Sequence, residues 1–92
     1  MNEKVRLVTT AGCEACRIMR NIILDVINTE EFAKIDFEEM PLNEHNSGFA
    51  KQNKIDDFPT ICFMQDGKVI DKLIGTTNYN NLKNKIKGVY SL

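Results

Sequence analysis

Val5-Arg6-Leu7-Val8-Thr9-Thr10-Ala11-Gly12-Cys13-Glu14-Ala15-Cys16 is the stretch that decides the fold. Residues 5–10 are β-branched and apolar enough for a strand, and Ala11-Gly12 makes a tight connection. From Cys16 onward Ile18, Met19, Ile22, Ile23, Val26 and Ile27 recur at helical spacing, with Arg17, Arg20, Asn21 and Asp25 on the other face. A strand thus delivers two thiols, two residues apart, onto the first turn of a helix. Unpaired N–H groups and the macrodipole favour an anion there by about 1 kcal/mol, so a thiolate at Cys13 is encouraged.

A structural staple is the weaker explanation of the dithiol, and chemistry the stronger one. A disulfide closing so short a loop stabilises by about 2 kcal/mol on the chain-entropy account, against nearly 5 for a loop of about 100 residues. Two other uses of the pair stand beside redox chemistry: half of a zinc site, or inert buried thiols. A structural zinc usually needs a second closely spaced pair, and only Cys62 and His45 remain. Cys62 falls mid-strand, where a free cysteine behaves as a small hydrophobe, and His45 falls in a polar loop. Cys13 is therefore expected to attack a disulfide and Cys16 to resolve the mixed disulfide. Arg17 supplies a nearby cation and Glu14 opposes it, which predicts a moderately lowered thiol pKa and a reducing pair.

Outward from this core, Lys34 to Met40 alternates as a half-covered strand, and a short helix is expected around Phe49 to Asn53. Phe58-Pro59 precedes the apolar strand Thr60 to Met64. An X-Pro bond is usually trans, so the residues alone predict a trans Pro59 opening a strand. Asp66-Gly67 between two strand patterns signals a hairpin, with Val69 to Ile74 returning. Gly75-Thr76-Thr77 leads to a last helix, with Thr77 as its cap and Tyr79, Leu82, Ile86 and Val89 or Tyr90 as its buried stripe. Lys83, Lys85 and Lys87 take its solvated side. The order β-α-β-α-β-β-α predicts an α/β fold: a four-stranded mixed sheet with helices on both faces, its first two strands parallel through a right-handed crossover.

The chain has 92 residues and a formal net charge of −1, which fits one domain over residues 1–92. No basic field would attract nucleic acid or a lipid surface, and no apolar stretch approaches a membrane span. No signal peptide is visible, so a cytoplasmic monomer is expected.

Together the dithiol at the first helix and Pro59-Thr60 at the third strand resemble the thioredoxin superfamily over nearly the whole chain. The resemblance implies a cis Pro59 facing the cysteines, and a Phe58 backbone that pairs with an extended substrate segment by strand addition. Gly12, Glu14, Ala15, Phe58, Pro59, Thr60 and Gly75 would form the substrate surface around Cys13 and Cys16. It implies no cofactor, a disulfide-containing protein as substrate, and a reductase that recycles the dithiol. Two departures stand out. Gly12 and Glu14-Ala15 replace the family's Trp and Gly-Pro around the first cysteine, and Leu7 occupies the place of its buried aspartate. Proton handling at Cys16 then falls to water or to another carboxylate, Glu38 or Glu39. Glutathione stays open as a reductant, although Asp57-Phe58-Pro59 and Gly75-Thr76-Thr77-Asn78 lack the carboxylate and second glycine with which glutaredoxins hold it. A binding module with little turnover is the reading from a different class.

Overall fold

In the computed structural model, which describes residues 2–92, the chain runs β1 (Glu3–Thr9), α1 (Glu14–Ile27), a 3₁₀ turn (Glu30–Phe32) and β2 (Ile35–Pro41). It continues through α2 (Ser47–Gln52), β3 (Thr60–Gln65), β4 (Lys68–Ile74) and α3 (Tyr79–Tyr90). The sheet order is β2-β1-β3-β4. β1 and β2 pair in parallel, while β3 is antiparallel to both β1 and β4. The expected mixed sheet is what the chain forms.

β1 and β3 are central strands and show it in their composition. In β3, Ile61 and Phe63 point to one face, and Cys62 and Met64 to the other, all of them buried. The first face packs on α1 and α3 through Met19, Ile23, Val26, Leu82, Ile86 and Tyr90. The second is covered by the single short helix α2, through Ala50 and the partly buried Phe49, with Ile55 from the segment after it. Each fully buried Ile or Phe contributes roughly 1.5–3 kcal/mol, so the larger α1/α3 face dominates stability.

The hairpin forms at Asp66-Gly67 as expected. Both residues have positive φ, 53° and 84°, the conformation a two-residue turn between twisted strands demands. Return strand β4 carries a bulge opposite Phe63 and Met64, with Asp71 and Val69 as their partners, and this leaves Ile70 45% exposed. At the other end of the sheet the Tyr90 hydroxyl lies 2.8 Å from the Lys4 carbonyl oxygen and 2.9 Å from that of Met64. Burial pushes its pKa up to about 12.

Four local expectations change. α2 begins two residues earlier than the pattern indicated, at Ser47. Asn78, not Thr77, caps α3, because its side-chain oxygen accepts the Asn81 N–H at 2.8 Å. Thr77 instead turns its own N–H toward Met19 Sδ, 3.5 Å away. Ile18 and Tyr79 are exposed although they fit the helical period: each sits at the border of its buried stripe, in the first turns of α1 and α3, where no neighbouring element covers it. The lysines of α3 do face solvent, and they carry ion pairs there: Lys83 and Lys87 with Glu31, and Lys85 with Asp71. The Lys87 hydrogen bond is the main reason that the Glu31 carboxyl falls below its usual range.

Candidate functional site

β1 ends at Thr9, and Gly12 turns the chain with φ +72°, so Cys13 arrives in extended conformation at the N-cap of α1. Its Sγ accepts the Cys16 backbone N–H at 3.0 Å. The two cysteines are bonded to each other, with Cα atoms 5.3 Å apart. They are not equivalent: Cys13 is partly exposed, whereas Cys16 is 4% exposed under the first turn.

A cavity of about 320 Å³ opens beside the pair, lined among others by Gly12, Cys13, Glu14 and Cys16, and by Arg20 and Glu39. Glu14 and Arg17 bind each other across the helix surface. Their opposing influences on Cys13 are thereby joined in one exposed pair, worth little in itself. Arg20, one turn beyond Cys16, reaches across to Glu39 of β2, Nη1 to Oε1 3.3 Å. The helical pattern sets Arg20 on the face of α1 away from the apolar stripe. Its signal was the four-residue step from Cys16, which keeps both on one side of α1.

Glu38 and Glu39 part company. Glu38 points to the α2 face, where Arg6 Nε binds it at 2.7 Å and Lys4 stands at 3.6 Å; Arg6 also stacks over Phe49 at 4.8 Å. Partial burial pushes the Glu38 carboxyl up, but the bond and charge of Arg6, with Lys4, outweigh it and hold the group below its usual range. Glu39 pairs in register with Leu7 on the α1 face. Leu7 itself is fully buried in the apolar core.

The second expected cluster forms at the same end of the sheet. Thr60 opens β3 opposite Val8 of β1 and Ile74 of β4. The Phe58–Pro59 peptide is cis, not the trans form the residues alone predicted but the form the resemblance implied, and the Gly75 N–H donates to the Pro59 carbonyl at 2.8 Å. Gly75 has φ +88°, a conformation open to glycine, and so can turn the chain back toward Pro59. Phe58 is half-buried against the α2-side core, while Pro59 and Thr60 are buried. The Thr60 hydroxyl donates to the Asp57 carbonyl at 2.7 Å and braces this corner from within. Ala15 lies partly buried in the first turn of α1. Cys62 lies fully buried in β3, and burial pushes its thiol up to about 11. His45 is exposed, as expected of a loop residue.

The thioredoxin family model matches residues 4–88, nearly the whole chain. The chain belongs to the thioredoxin family. A thioredoxin of Mycoplasmoides gallisepticum is 35% identical over 78 residues, covering 82% of this chain and 72% of that protein. Thioredoxin H4 of Arabidopsis thaliana is 30% identical over 82 residues, 85% of this chain and 63% of that one, so the chain spans a little under two thirds of this plant relative. Among solved structures, thioredoxin f of spinach chloroplast superposes with a TM-score of 0.79 at 22% identity, covering 97% of this chain and 77% of its own. Mitochondrial thioredoxin 3 of Saccharomyces cerevisiae, in its oxidised form, gives 0.76 at 23% identity, over 95% and 78%. Thioredoxin-family membership and the bonded Cys13–Cys16 pair together support a thiol–disulfide oxidoreductase. Among the described residues no helix is long and apolar enough to cross a membrane.

Proposed function

We propose that this chain reduces disulfide bonds in protein substrates, with Cys13 as the attacking thiolate and Cys16 as the resolving thiol. The observation that carries the reading is the asymmetry of the two sulfurs. Cys13 is partly exposed at a helix N-cap, where a backbone N–H favours its anion, whereas Cys16 is buried one turn deeper. Cys13 attacks one substrate sulfur, the other leaves with the bond pair and takes a proton, and a mixed disulfide results. Cys16 then attacks Cys13 and releases the second substrate thiol, leaving the dithiol oxidised.

The corner of Phe58, Pro59 and Thr60, held by Gly75, supports docking of an extended substrate segment, with the Phe58 backbone as its pairing partner and the cis Pro59 as its wall. Gly12, Glu14 and Ala15 border the reacting sulfur on the other side. A separate reductase returns the electrons by the same route, and the protein works as a cytoplasmic monomer. The test is reduction of insulin disulfides. The Cys16→Ser variant is expected to accumulate a covalent complex with its substrate, resolved by added thiol and visible by mass spectrometry. Turnover by Cys13→Ser equal to that of the unaltered protein would overturn the assignment.

A further inference from the structure

Resolution requires Cys16 as a thiolate, and Cys16 is the worse placed of the two to become one. It is 4% exposed, and burial disfavours the charged form of a thiol. The backbone N–H at the start of the helix that favours charge, that of Cys16, is given to the Cys13 sulfur. A group near Cys16 must therefore take its proton.

Two carboxylates line the cavity that Cys16 shares, Glu14 and Glu39. Glu14 is turned outward, its side chain 69% exposed and bound to Arg17. Glu39 is the more sheltered, at 31%, and is fixed from across the cavity by Arg20. That arrangement needs two elements in register. Parallel pairing sets Glu39 beside Leu7 on the α1 face, and the helix puts Arg20 one turn after Cys16. Glu38, one residue earlier, is committed to Arg6 and Lys4 on the opposite face. A cavity of about 320 Å³ has room for several water molecules at roughly 30 Å³ each, and its polar wall offers partners for them.

We propose that Glu39 is the proton acceptor for Cys16, reached through water in this cavity, with Arg20 as the residue that positions the carboxylate. The inference rests on the dithiol reading above. In the mixed disulfide, the Cys16 S–H proton passes through water to Glu39, and the sulfur electron pair forms the bond to Cys13 Sγ. The bond from Cys13 to the substrate sulfur breaks with its pair on the substrate, which takes a proton from solvent; Glu39 later returns its own proton to solvent. Two electrons and two protons are transferred to the substrate in all. The charged and titratable groups facing Glu39 are Arg20, Arg17 and Glu14 of α1 and the two thiols, while the end of β1 and the residue after it contribute the neutral Thr9 and Thr10.

The experiment separates the two chemical steps by rapid quench, with insulin as substrate. Attack is measured in the Cys16→Ser background with and without Glu39→Gln; resolution is measured in the dithiol protein between about pH 6 and pH 10. The expectation is that Glu39→Gln leaves attack unslowed but slows resolution at least tenfold near neutral pH, a floor set below the roughly 10²–10⁴ range for direct general base catalysis because water relays the proton. The gap should close at high pH, where Cys16 ionises without help, and Glu39→Asp should recover part of the rate. Equal resolution in Glu39→Gln and the unaltered protein across the range overturns the proposal. So does a slowing that is independent of pH and shared by both steps, which would mark a structural role. Failure to form any mixed disulfide in Cys16→Ser alone overturns the dithiol reading, and that outcome is seen before Glu39 is changed.

Discussion

Helices α1 and α3 begin in the same way with different atoms. Cys13 caps α1 by accepting the Cys16 N–H at 3.0 Å on sulfur; Asn78 caps α3 by accepting the Asn81 N–H at 2.8 Å on an amide oxygen. Both residues are extended and both accept from the residue three further on. Asn is among the strongest N-caps, whereas a neutral thiol is a weak acceptor. The bonded Cys13 sulfur is likewise a weak acceptor, so α1 starts with the poorer structural cap; once the pair is reduced, the same N–H holds a Cys13 thiolate better than a thiol. The difference teaches that the sulfur is placed for its charged form.

Exchanging the caps breaks the comparison most severely. Cys13→Asn should cut insulin reduction to the uncatalysed background while leaving the reduced protein at least as stable, because a better acceptor then caps α1. Denaturant melts of both reduced proteins check the second half.

Cys62 asks whether a thiol suffices without the helix tip. Buried in β3, its thiol titrates near 11, against 9.0 for the free group. The sign follows from proton counting. Between those values the unfolded chain has lost the Cys62 proton and the folded chain has kept it, so stability is complete below about pH 9 and falls as pH rises toward 11. The two-unit difference corresponds to about 2–3 kcal/mol. Urea melts of the reduced protein against pH should lose this slope in Cys62→Ala, whose turnover in the insulin assay stays intact. Iodoacetamide at mild pH should label Cys13 and spare Cys62 until the chain unfolds.

The smallest effect lies at the other cap. Asn78→Ala should cost about 1 kcal/mol in the same melts and leave insulin reduction unchanged. Loss of activity there would mean that the two helix tips are not independent.

Most of the site was legible because it is local. The strand, the turn at Gly12, the thiol spacing and the Asp66-Gly67 hairpin each depend on residues a few positions apart. The resemblance supplied the geometry of Pro59, which the residues alone would have made trans. Periodicity locates the apolar stripes of α1 and α3 but not their borders, so it includes Ile18 and Tyr79, which the structure leaves exposed. What covers the edge of a helix is decided by elements distant in sequence. The sequence offers Thr77 as the α3 cap; Asn78, also a good capping type, stands one residue on, and only the backbone angles choose between them. The Arg20–Glu39 pair was least visible. It depends on the register of β1 against β2, and a slip of one residue there would have put Glu38 over the cavity instead.

The Tyr90 hydroxyl joins the last helix to carbonyls of β1 and β3, and Lys4 lies 86 positions earlier in the chain. A nascent polypeptide therefore cannot complete this clamp until residue 90 has cleared the ribosome. Until then the face of β1 and β3 that packs α1 lacks the Leu82, Ile86 and Tyr90 side chains of α3, and synthesis leaves that part of the apolar surface open.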